Sequence, residues 1–198
     1  MVAARVEVAG LDPWRLGGEL WGVGSRFDGL CFSGANLVPL RGDRHVMRLF
    51  ADRARRHGRT CSSVVGRQEL VLPLWEELAA YWAPAREIRD DQPLMVLAGP
   101  PAVTPDPLVR EVRPEELDAY LPAAIAMFTE EVGIDPCAGD GGAGYRARVA
   151  ELVASGRAFA RFEHGQVVFK AEIGAVTPHA CQVQGVWVHP DLRTDGRL

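Results

Sequence analysis

Apolar residues recur with a helical period and then with a strand period in the second half of the chain. Leu117, Leu121, Ile125, Phe128 and Val132 fall on one helical face. Pro114, Glu115, Glu116 and Asp118 supply the proline and acids of a first turn, and Gly133 supplies the stop. Pro122 is expected to bend this helix. A second helix is predicted over 145–155, closed by Gly156. The period then drops to two. A strand over 158–163 turns at His164-Gly165 into a strand over 166–176, where Val167, Phe169, Ala171, Ile173 and Ala175 share a face. Thr177-Pro178-His179 turns the chain into 180–188, where Cys181, Val183, Gly185 and Trp187 alternate with Gln182, Gln184, Val186 and Val188. With a short strand over 108–112 ahead of the helices, the pattern is an antiparallel meander.

The first half reads as strands over 19–23 and 30–40, a helix capped by Asp43 and running to about residue 57, and a strand over 60–65. A helix over 68–82 follows, with Leu70, Leu74, Leu78 and Trp82 on one stripe and Pro73 inside it. A hairpin of 85–89 with 94–98 completes the order β-β-α-β-α-β-β. Between the halves, Pro100, Pro101, Pro105 and Pro107 forbid a continuous helix or central strand. The predicted organisation is therefore a domain over 1–99, a linker over 100–107 and a domain over 108–198, in the α+β class.

Composition narrows the function classes. The hydrophobic content of 47% and charged content of 24% fit a globular protein, and a net charge of -4 argues against nucleic-acid binding. Residues 1–105 carry net +1 and residues 106–198 net -5, which would suit a cationic substrate in the second half. Only Lys170 among the 22 basic residues is lysine. No apolar run reaches the ~20 residues a bilayer requires, and the N-terminus lacks the order of a signal peptide, so a cytoplasmic protein without membrane contact is expected. The dispersed Cys31, Cys61, Cys137 and Cys181 fit reduced thiols rather than a disulfide or zinc framework. His45, His57, His164, His179 and His189 are equally scattered, so no metal site is expected.

Two glycine-bearing segments bear on chemistry. Gly139-Asp140-Gly141-Gly142-Ala143-Gly144 matches G-x-G-x-x-G, but it follows a helix end rather than a strand and is read as a flexible loop. The segment Val186-Trp187-Val188-His189-Pro190-Asp191-Leu192-Arg193-Thr194-Asp195-Gly196-Arg197-Leu198 is different: a strand runs into an Arg-x-x-Gly turn. That geometry aims consecutive backbone N–H groups at a pyrophosphate.

A strand, two helices, three antiparallel strands and an Arg-x-x-Gly turn resemble the opening of the GNAT N-acetyltransferase fold. The family signature after strand four is Gln/Arg-x-x-Gly-x-Gly/Ala. Arg193 and Gly196 supply its first and fourth members, and Leu198 departs from it at the sixth. The wording of 10–22, 34–39, 127–133 and 185–190 is similar to a bacterial subgroup of these proteins with a GNAT-like N-terminal domain. In that resemblance both ends look truncated. The first half carries Leu40-Arg41-Gly42-Asp43 where the phosphate signature would stand, and it is expected to be non-catalytic.

The resemblance implies tandem partial GNAT modules and acetyl-CoA as cosubstrate. Backbone groups at Val186, Trp187 and Val188 would meet the acyl and pantetheine portions, and Arg193, Thr194, Asp195, Gly196 and Arg197 the pyrophosphate. Transfer to an amine by direct attack needs a base and oxyanion donors. Glu172 is the candidate base, placed mid-strand beside Lys170. Glu130 and Glu131 are candidates for recognising a cationic amine, carried by a small molecule or a protein. The truncation implies impaired turnover. The alternative is a non-catalytic interaction or regulatory module that forms a homodimer through an exposed sheet edge.

Overall fold

The computed structural model describes residues 1–139 and 141–193. Thr194, Asp195, Gly196 and Arg197, the second part of the expected pyrophosphate turn, lie outside the described residues, as does Asp140 of the glycine-rich loop. The chain divides into two compact units, Val2–Val96 and, with Met1, Leu97–Leu198. It is mixed α+β with sheets that are mostly antiparallel. No helix among the described residues is long and apolar enough to cross a membrane.

The first unit starts with two helices that apolar periodicity did not anticipate, α1 (Val2–Ala9) and α2 (Pro13–Leu16). Strands β1 (Gly18–Val23), β2 (Gly29–Gly34) and β3 (Asn36–Arg41) form an antiparallel meander, and the two-residue β4 (Ser63–Val64) adds parallel to β3. The single strand expected over 30–40 is in fact the hairpin β2–β3, folding back at Ala35 so that Ser33 pairs with Leu37. The middle of both strands is apolar because both faces are covered there. Cys31 and Leu37 join Met47 and Phe50 of α3 (Arg44–His57) and Leu74 and Leu78 of α4 (Gln68–Ala79) on one side. Phe32 and Val38 join Val2 and Leu16 on the other. Asp43 caps α3 by accepting from the Val46 amide at 2.9 Å. Residues 85–98 form no strand, so the expected hairpin there is absent, and Leu94, Met95, Val96 and Leu97 remain exposed.

The second unit is one antiparallel sheet in the order β5 (Arg110–Glu111), β6 (Ala158–Glu163), β7 (Gln166–Thr177) and β8 (Ala180–Val188). Its core lies between the sheet and α5 (Leu117–Val132) with α6 (Ala143–Ala154). A 3-10 turn, Pro114–Glu116, leads into α5, and Gly133 ends it in the left-handed region with φ 70°.

Which face of β7 meets the helices differs from the alternation expected. Arg161 pairs with Phe169 but Phe162 pairs with Val167, which leaves Val168 as an extra residue in β7. That bulge turns Val167 toward the helices, and beyond it Lys170 and Glu172 share that face. Phe169 lies on the opposite face in a groove. The five apolar residues read as one stripe are split between two faces.

At the start of α5, Glu116 accepts from Arg110 at 2.7 and 2.8 Å and from Arg113 at 2.9 Å. Arg110, and then Arg113, hold its carboxyl far below the usual carboxylate range. A folded-state value below the unfolded one contributes stability that is present above the ordinary glutamate range and lost as pH falls through the folded value. Glu116→Gln is therefore expected to cost about 1 kcal/mol at pH 7, screening at the exposed arginines included. The gap from wild type should close as melts are repeated at falling pH; a gap that stays constant down to acid denaturation would contradict it.

Candidate functional site

Glu172 lies in the middle of β7 and is 5% exposed. Its Oε1 accepts from the Lys170 ammonium at 2.5 Å and from the Tyr120 hydroxyl of α5 at 3.2 Å. Lys170 is fully buried, and its Nζ stands 5.4 Å from the centre of the Tyr120 ring. Burial pushes the lysine below its usual range, against the opposing charge of Glu172. Burial, reinforced by the Glu172 charge, pushes the Tyr120 hydroxyl up, so the phenol remains a donor. Tyr145 of α6, pushed up to about 12 mainly by burial, donates to the Ala124 carbonyl at 2.9 Å and braces the helix pair behind the cluster.

The other carboxylate oxygen, Oε2, has no bonded partner among the described residues. It faces Gly185 of β8. A Cβ on Gly185 would stand 3.3 Å from Oε2 and 3.1 Å from the Met127 Cε, and the residue has φ +57°. These restrictions follow from a second bulge. Lys170 pairs with Trp187 and Glu172 with Gln184, so Gly185 and Val186 together span a step with only Ala171 opposite. Glycine satisfies both the left-handed backbone and the narrow clearance. β8 is also the outermost strand of its sheet among the described residues, so one side of its backbone has no strand neighbour.

The expected coenzyme residues fall as follows. Val186 is exposed at 58%, Trp187 is buried against the helices, and Val188 lies partly buried beside the groove on the far face. Arg193 does not stand free for a phosphate. It donates to the Val188 carbonyl at 2.9 Å and to Glu130 at 2.8 and 3.1 Å. Glu130 is in turn not free for an amine: besides Arg193 it accepts from the Trp187 indole at 3.3 Å. Partial burial opposes ionisation of Glu130, but the bonds from Arg193 and Trp187 hold it below its usual range. The two residues expected to meet opposite ligands thus neutralise each other. Glu131 is exposed on the last turn of α5 and makes no hydrogen bond to the cluster, though its charge acts on Lys170.

Sequence reasoning singled out Glu172 but missed Tyr120, Met127 and Gly185 around it, and treated Lys170 only as a neighbour. A lone lysine in a chain otherwise supplied with arginine was the available signal. A groove of about 630 Å³ floored by Val168, Phe169 and Val188 lies on the opposite face of the sheet. Its charged groups, Arg161, Asp106 and Glu163, are already paired with one another, so the carboxylate beneath β8 is the better candidate for chemistry. No group of three or more His, Cys, Asp or Glu among the described residues is placed to hold a metal ion.

Residues 18–120 match the family model described as a domain of unknown function, DUF4081. No curated protein and no solved structure matches the chain. The matched residues run from the start of β1 to the first turn of α5, so they include Tyr120 but not Lys170, Glu172 or β8.

The glycine requirement is directly testable. Gly185→Ala should lower unfolding stability by about 1–2 kcal/mol, from the positive φ and the contacts to Met127 and Glu172. Calorimetric melts showing wild-type stability would mean the bulge is not held as described.

Proposed function

We propose that this chain, which belongs to the DUF4081 family, described as a domain of unknown function, is an acetyl-CoA-dependent N-acetyltransferase with a GNAT-like second unit. The observation that carries this reading is a buried carboxylate directly beneath a bulged, outermost strand. Such a strand has backbone donors and acceptors without strand partners on one side, and the bulge re-aims them. An extended pantetheine arm could bond along Val186 to Val188 as a further strand would.

Glu172 would take a proton from an acceptor ammonium, leaving a neutral amine. Nitrogen attacks the thioester carbonyl carbon, forming the C–N bond, while strand amides donate to the oxyanion. Collapse breaks the C–S bond, and the proton still on nitrogen passes to the departing sulfur. Glu172 then returns its proton to solvent. Arg193 could serve a pyrophosphate only by exchanging Glu130 for it, which makes Glu130 a competitor for the coenzyme's charge.

A second reading has its own support. Val183 and Val186 are 61% and 58% exposed on β8, and an outermost strand with apolar side chains can pair with a second copy. The bulge at Gly185 works against it, because it interrupts the flat edge such pairing needs.

Calorimetry with acetyl-CoA tests the first reading. Saturable binding with a Kd on the order of 10 μM is expected. It should weaken in Val186→Pro, which deletes one strand amide, and persist in Glu172→Gln, whose turnover should fall by about 10²-fold. Absence of heat up to millimolar coenzyme, with light scattering showing a monodisperse dimer, would replace the enzyme reading with the interaction module.

A further inference from the structure

The acetyltransferase reading uses Glu172 and leaves Lys170 unexplained, although Lys170 is the most costly group in the unit to bury. A fully buried ammonium loses its hydration, and replacing a buried ion pair by apolar residues of similar size is often neutral or stabilising. Packing is therefore no reason for a lysine here. The chain otherwise places arginine at every basic position, and it has its only lysine at this point. An ammonium is compact, whereas a planar guanidinium would need more room and more acceptors than the single carboxylate offers.

The geometry around the pair is asymmetric. Both donors to the carboxylate, Lys170 Nζ and Tyr120 Oη, converge on Oε1. They come from β7 itself and from the helix packed on it, so the carboxylate is fixed from two elements. Oε2 is left toward Gly185 and the bulge of β8. Beyond these, Tyr145 of α6 and Glu131 at the end of α5 are the titratable groups that act on the cluster. Neither bonds Glu172.

We propose that Lys170 is a positioning residue: together with the Tyr120 hydroxyl it occupies Oε1, keeps the Glu172 carboxylate ionised inside the core, and leaves Oε2 as the single oxygen turned to the β8 bulge to receive an acceptor ammonium. The step assigned to Oε2 rests on the acetyltransferase reading; the clamp on Oε1 does not. A carboxylate stripped of water favours its neutral form unless a charge is supplied beside it. Lys170 supplies that charge without reaching the substrate side, because it is wholly enclosed.

Difference infrared spectroscopy of the full chain separates the two claims. Wild type minus Glu172→Gln isolates the Glu172 band, and Lys170→Met minus Lys170→Met/Glu172→Gln isolates the same band without the lysine. The first difference is expected to show a carboxylate stretch and the second a protonated carboxyl stretch at the same pH. The double variant has no buried charge and should fold. If Lys170→Met alone does not, Lys170→Gln, which keeps a neutral donor, takes its place in the cycle. A carboxylate stretch that persists in the folded lysine variant would overturn the proposal and reduce Lys170 to a packing role.

The activity arm gives a second readout. With turnover present in wild type, Lys170→Met should lower kcat by about 10²-fold while KM for acetyl-CoA stays within about twofold. A matched fall in both thermal stability and coenzyme affinity, with kcat spared, would also overturn it. If wild type shows no turnover, the acetyltransferase reading fails by itself, and the infrared cycle still decides whether Lys170 holds Glu172.

Discussion

A lysine and a glutamate withdrawn from water within one strand constrain the second unit more than any apolar contact does. Their mutual attraction must offset the loss of two hydration shells, which requires short, directed bonds and no competing solvent. The structure meets this by closing α5 over the pair through Tyr120 and Met127 and by laying Trp187 of β8 opposite Lys170. A helix, two strands and a bulge are thus tied to one carboxylate. The site and the core are the same construction, so side chains that pack the unit also aim its candidate base.

Two bulges make that construction workable. The one at Val168 brings Lys170 and Glu172 under the helices, while the one at Gly185 keeps β8 from covering Oε2 with a side chain. Bulges at an outermost strand also blunt its tendency to pair with other chains. The same irregularity therefore weakens the interface reading and supports the ligand reading. Farther along, Arg193 folds back onto Glu130 and the Val188 carbonyl, so the end of β8 is fastened to α5 by charge.

The first unit is organised differently. Its two central strands are covered on both sides, with Cys31 and Leu37 turned to one helix pair and Phe32 and Val38 to the other. Burial pushes the Cys31 thiol up to about 12, which leaves it a small apolar side chain rather than a nucleophile. Charged side chains of α3 pair in several directions, Arg44 with Glu76 of α4, Arg55 with Asp52 and Arg53 with Glu19 of β1. This unit holds most of the residues that match the family.

Local structure was largely legible in the chain because its causes are local. Asp43 capping α3, Gly133 ending α5, the His164-Gly165 turn and the limits of β6 and β8 all depend on neighbours a few residues away. Apolar content alone also placed the antiparallel meander and the mixed class. What it misjudged depended on partners distant in sequence. The run 30–40 folds back at Ala35 so that β3 pairs with β2, and 85–98 adds to neither sheet. The helices α1 and α2 were missed because their stability comes from packing on Phe32 and Val38, not from their own pattern. Above all, the face on which Glu172 lies was decided by Val168, a residue with no partner across the ladder to β6. A period of two identifies a strand from sequence, but one inserted residue reverses inside and outside beyond it, and only the register with the neighbouring strand reveals the insertion.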